Sequence, residues 1–180
     1  RSSDLIVQVG NQQSLVVNSA NHTPVVFDEP SRFLKDSSGA DYEIPSPEST
    51  ASAPNKNSYN YLMRVAQSAK TSSERIQQAW SAYQTEVDYG ILPMDLPKVA
   101  ACIEAGYPAQ LYHVAFRNNS FDTHVQQPAL HRRLLSYASD AITGFVRDLK
   151  QKAIDQNVVV LIHSEFGRRA GENANLGTDH

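Results

Sequence analysis

An α/β fold with a mostly parallel central sheet flanked by helices is predicted by three observations. Short β-branched runs fill the first third of the chain. Long stretches with helical apolar spacing follow, and the second half alternates helix, strand, helix and strand. A strand, a crossover helix and a second strand make a βαβ unit, whose right-handed crossover sets the two strands parallel.

Taken in order, "DLIVQVG", "SLVVNS" and "PVVFD" are β-like runs separated by Asn, Gln, Ser and Pro, the residues of turns. Residues 35–58 are rich in Ser, Pro, Ala and Asn and read as a surface loop within one 180-residue domain. From Tyr59 the chain places Leu62, Val65, Ala69, Ile76, Trp80, Tyr83 and Val87 at steps of three, four and seven, the stripe of a helix that ends near Gly90. A second helix runs from about Leu96 to Ala105, with Asp95 as N-cap, Pro97 in its first turn and Gly106 as its stop. The strand "AQLYHVAFR" follows. A long helix then runs from about Pro128 to Ile154, burying Leu130, Leu134, Ala138, Ala141, Phe145 and Leu149. The continuous apolar run "NVVVLIH" reads as a strand covered on both faces.

With 41% hydrophobic and 19% charged residues the chain has the composition of a folded domain. It shows no basic stripe interleaved with aromatics, which argues against nucleic-acid binding, and no run near the roughly 18 apolar residues of a membrane span. No signal peptide opens it. The single cysteine, Cys102, lies in an apolar helical pattern and reads as a buried structural thiol. There is no phosphate-binding glycine loop, no dinucleotide fingerprint and no cysteine-based zinc motif. Ser164 lacks the flanking glycines of a nucleophile elbow, since Ile162 and Phe166 stand in their places.

Parallel strands of one βαβ unit end at the same sheet edge, the edge at which ligands bind in open α/β sheets. Asp122 and His124 follow the first of these strands, and two-residue spacing points both the same way if the segment is extended. Glu165 follows the second. "GTDH" brings Asp179 and His180 on a tail free to fold back over that edge, and His131 lies just inside the long helix. Imidazole and carboxylate together hold zinc or manganese without thiolate. Arg168 and Arg169 are of a type that grips tetrahedral anions. Each residue also has an ordinary role: a turn for Asp122, a polar helix face for His131, a solvated pair for the arginines.

The blocks "FDTH", "SEFGRR" and "GTDH", with "FVRDLK" and "VVVLIH" between them, resemble the DUF1501 family over roughly residues 91–180. That family is considered similar to the alkaline phosphatase and sulfatase superfamily. The resemblance implies an alkaline-phosphatase-like sheet with a metal centre at its strand ends. Residue by residue it implies metal ligation by Asp122, His124, Glu165 and His180. Beside these, Asp179 and His131 are expected as ligands or partners of ligands and Arg168 as the catalytic partner of the ester oxyanion. The metal would be zinc or manganese, with calcium or magnesium as alternatives. Phe166 stands where the superfamily has a histidine, and the early nucleophile has no counterpart here, as expected of an excised piece of a longer chain.

The expected function is therefore a metal-dependent hydrolase of phosphate or sulfate esters, in a periplasmic or otherwise extracytoplasmic protein. The alternative is a non-catalytic exported relative that binds metal, anionic polymers or proteins. A nucleophilic Ser or Thr upstream of Arg1 would favour the enzyme.

Overall fold

The computed structural model describes residues 5–33, 35, 56–116 and 120–180. Among these residues it is α/β, with three strands and three α-helices: β1 (Ile6–Val9), β2 (Val25–Phe27), α1 (Lys56–Ala82), α2 (Leu96–Glu104), β3 (Leu111–Val114) and α3 (Gln127–Gln151). Two compact units divide it, residues 1–83 with 101–113 and residues 84–100 with 114–180. Most of the 35–58 loop lies outside the described residues. Among the described residues no helix is long and apolar enough to cross a membrane.

The first unit holds the sheet, in the order β2-β1-β3, with β1 and β2 parallel and Val7, Gln8 and Val9 opposite Val25, Val26 and Phe27. Val7, Val9 and Phe27 are buried. Gln8 is buried as well, and its amide is satisfied by the following loop: Nε2 donates to the Gln12 carbonyl and Oε1 accepts from Ser14 N–H at 2.8 Å. "SLVVNS" forms a 3-10 turn, Leu15–Val17, where the sequence suggests a strand. Ser14 caps it and only Val17 is buried, so the three apolar residues share no common face.

Helix α1 is fastened by the Phe33 carbonyl, which accepts from Ser73 Oγ at 2.9 Å and Gln77 Nε2 at 3.0 Å. Its buried residues, Ser72, Ser73, Ile76 and Ala79, lie around and beyond this point. Leu62 and Val65, earlier on the expected stripe, are exposed. The helix stops at Ala82, about two turns before Gly90. Helix α2 ends as expected. Gly106, in the left-handed region at φ 64°, donates to the Ile103 carbonyl, and Tyr107 N–H reaches back to Cys102, the paired bonds of a Schellman stop. Cys102 is buried, and burial pushes its thiol up to about 12, so it is an inert structural cysteine.

The second unit is organised by α3, which buries Leu134, Ala141, Gly144, Phe145, Asp148 and Leu149. This is most of the predicted stripe, although Leu130 is exposed. Residues 84–90 lie across the helix at Gly144, where an added Cβ would come within 2.8 Å of the Asp88 carbonyl oxygen and Tyr89 Cα. Contact this close explains the small residue. Here the chain spends its polar groups on α3 instead of prolonging α1: Thr85 and Tyr89 hydroxyls donate to the two oxygens of Asp148 at 2.7 and 2.8 Å.

The run Val158–His163 corrects the sequence reading. It is not a strand; no partner strand pairs with it among the described residues, and Val159, Val160, Leu161 and Ile162 are 93, 44, 82 and 72% exposed. A β-branched apolar composition favours extended backbone but cannot supply the neighbour that makes it a strand. The predicted βαβ unit is thus present as β3 and α3 without its second strand.

Candidate metal centre

Two segments of the second unit build the site. The first is the loop 120–126 leading into α3. Gln126 takes a left-handed conformation just before the helix, and Gln127 Nε2 bonds back to the Thr123 carbonyl and hydroxyl, both at 3.0 Å. The loop is thereby anchored to the first turn of α3. The second is the tail 173–180, a turn nucleated by Asn173, whose Oδ1 accepts from Asn175 N–H at 2.9 Å and Gly177 N–H at 3.0 Å.

The tail is stitched onto the loop. Gln126 and Gln127 N–H groups donate to the Asn175 and Leu176 carbonyls, each at 2.9 Å. Thr178 Oγ1 donates to Gln127 Oε1 at 2.9 Å, and Asn173 Nδ2 to the His124 carbonyl at 3.1 Å. Gly177 sits directly on the backbone of His124.

This docking brings Asp122, His124 and His180 together, with one ligand atom from each lying within 4.8 Å of the others. Asp122 Oδ1 accepts from His124 Nε2 at 2.8 Å and from His180 Nε2 at 3.0 Å. A tetrahedral zinc centre with bonds of roughly 2.0–2.1 Å holds its ligand atoms about 3.3 Å apart. The two carboxylate–imidazole separations stand near that spacing, and nitrogen and oxygen donors together are of the kind that hold zinc or manganese. All three side chains are 37–39% exposed, so water and a small ligand have access.

Asp179 lies behind His124. Its Oδ1 accepts from His124 Nδ1 at 3.3 Å and from Asn173 Nδ2 at 2.9 Å. That is the arrangement in which a carboxylate fixes the tautomer and ring orientation of a metal-binding histidine. Phe166 stacks on the His180 ring at 4.3 Å.

Other residues singled out in the sequence stand elsewhere. Glu165 is exposed and not in the cluster, since the segment before it does not form the strand that would carry it there. His131 meets Phe121 edge-on at 5.7 Å; its Nδ1 is buried with no hydrogen-bond partner among the described residues. Arg168 directs Nη1 to the Thr178 carbonyl and Nη2 to the Phe121 carbonyl, both at 2.6 Å. Asn173, Thr178 and Gln127 were not singled out by sequence reasoning. The Asn-x-x-x-Gly spacing of 173 and 177 was the one available hint of a turn.

The charges are mutually adjusted. Hydrogen bonds to Asp122 and then Asp179 raise the pKa of His124 above its ordinary 6.5. Bonds from His124 and His180 lower Asp122 below its ordinary 3.8, and bonds from Asn173 and His124 lower Asp179. A raised histidine stabilises the metal-free fold fully below 6.5 and ceases to as pH climbs through its raised value. The lowered carboxylates contribute above 3.8 and cease to as pH falls. Metal-free docking is thus tightest between those values. A metal needs the Nε2 lone pair, so its binding competes with the proton and strengthens as pH rises. Thermal unfolding with and without zinc from about pH 5 to 9 should show a zinc-induced rise in melting temperature that grows with pH; a rise that shrinks would contradict this geometry.

Residues 99–180 match the model of the DUF1501 family, described as a protein of unknown function. No curated protein and no solved structure matches it.

Proposed function

We propose that Asp122, His124 and His180 hold a divalent metal, zinc or manganese, in a hydrolase of phosphate or sulfate esters related to the alkaline phosphatase and sulfatase superfamily. One observation carries the metal reading: three donor atoms from two segments converge with Asp122 Oδ1 at 2.8 and 3.0 Å from the two imidazole nitrogens. Three protein ligands leave a fourth tetrahedral position for water or substrate, the hallmark of catalytic rather than structural zinc. Bound there, the ion would lower the pKa of a water and polarise an ester oxygen.

The chain's own groups have separable tasks. Asp179 keeps the Nδ1 proton of His124, leaving Nε2 for the ion, and Phe166 holds the plane of His180 by stacking. Export across the inner membrane belongs to the same proposal.

Elemental analysis of the purified chain tests it, beside Asp122→Ala and His124→Ala. The expected result is near-stoichiometric zinc or manganese, lost in both variants with affinity reduced more than about 100-fold. Metal absent from the unaltered chain, or retained in both variants, would overturn it. A metal-loaded chain that binds but does not cleave aryl phosphates and sulfates would favour the non-catalytic binding protein.

A further inference from the structure

We propose that Arg168 is the positioning residue of this centre, fixing the distance between Asp122 and His180; the inference rests on the metal reading above. The two imidazoles reach Asp122 differently. His124 is two positions from it on the same loop, whereas His180 is 58 positions away and arrives on the tail. The separation of loop and tail is therefore the one dimension of the site that local backbone geometry does not set.

Arg168 spans that separation. Its Nη2 donates to the carbonyl of Phe121, the residue before Asp122, and its Nη1 to the carbonyl of Thr178, two residues before His180. Both bonds are 2.6 Å, short as charge-assisted bonds are, and they leave one rigid planar group. The fork therefore dictates how far apart the two carbonyls stand, as an ammonium on a flexible stem does not. A second tie runs through Phe166. The guanidinium carbon lies 5.3 Å from that ring's centroid, and His180 stacks on the same ring at 4.3 Å. One side chain thus joins the carbonyls flanking Asp122 and His180 and also contacts the ring on which His180 stacks.

Cobalt(II) is the probe, because its visible d–d absorption reports coordination number as well as binding. The unaltered chain should bind cobalt with the intense spectrum of a four-coordinate ion. Arg168→Ala and the charge-keeping Arg168→Lys should each weaken cobalt binding roughly 10–100-fold and convert the spectrum to that of His180→Ala. Arg168→Ala combined with His180→Ala should bind no more weakly than His180→Ala alone, the non-additivity of two residues acting through one ligand. Arg147→Ala, which removes an equal charge from an exposed position on α3, should leave affinity and spectrum unchanged. Helical circular dichroism checks that each variant is folded. An unchanged spectrum in a folded Arg168→Lys chain, or a loss fully additive with His180→Ala, would overturn the positioning role while the metal centre stands. No cobalt on the unaltered chain would overturn the centre and this inference together.

Discussion

Gly177→Ala is expected to undock the tail and to cost the chain its metal affinity by more than about 100-fold. A Cβ at this position would lie 2.2 Å from the carbonyl oxygen of His124, 2.4 Å from its carbonyl carbon and 3.0 Å from the nitrogen of Val125. All three are backbone atoms of the loop that carries Asp122 and His124, so no side-chain rotation relieves the overlap. The tail would have to withdraw, breaking the bonds that Gln126 and Gln127 N–H groups make to Asn175 and Leu176. Zinc affinity measured by chelator competition, with hydrogen exchange at Gln126 and Gln127, would register both events. Gly171→Ala, with nothing within 4 Å of the added carbon, provides the comparison. Equal zinc affinity in the two variants would show that the tail does not need this close seat.

Asp148→Ala should lower the unfolding free energy by about 2–5 kcal/mol, without touching the site. The carboxyl is 1% exposed on the buried face of α3 and takes one hydroxyl on each oxygen, Thr85 on Oδ1 and Tyr89 on Oδ2. Removing it takes the acceptor from two donors at once and leaves a void. Asp148→Asn keeps one acceptor and should cost roughly 1–2 kcal/mol. Urea midpoints for the two variants, with Thr85→Val and Tyr89→Phe, measure the effect. A change within about 0.5 kcal/mol for Asp148→Ala would mean that the 84–90 segment is held by packing alone.

The parts of this architecture legible in the sequence are those set by periodicity and local chemistry. The stripe from Leu134 to Leu149 recurs at helical spacing because one face of α3 is buried, and Gly106 ends α2 because only a residue at ease with positive φ closes that turn. Asp122 and His124 were legible by their spacing after a strand, and His180 by its place in a recurring block. What stayed illegible depends on a second segment. "NVVVLIH" has the composition of a strand, but pairing is a relation between two segments and one run does not reveal its neighbour. The reach of α1 was overestimated for a similar reason: Thr85 and Tyr89 are committed to Asp148, roughly 60 positions on. Arg168 looked like an anion clamp because its type suits one, whereas its partners are backbone carbonyls, which every residue carries and no motif marks.

The docking of tail on loop also changes what an ion would mean for folding. Asp122 and His180 are 58 positions apart, and all of α3 lies between them. An ion joining them closes a long ring in the chain, removing much of the freedom the denatured polypeptide would otherwise regain, as a covalent cross-link does. Ligation and the folding of this half of the molecule are then one equilibrium. A chelator would then lower the stability of this half of the molecule, by an amount set by the affinity for the ion.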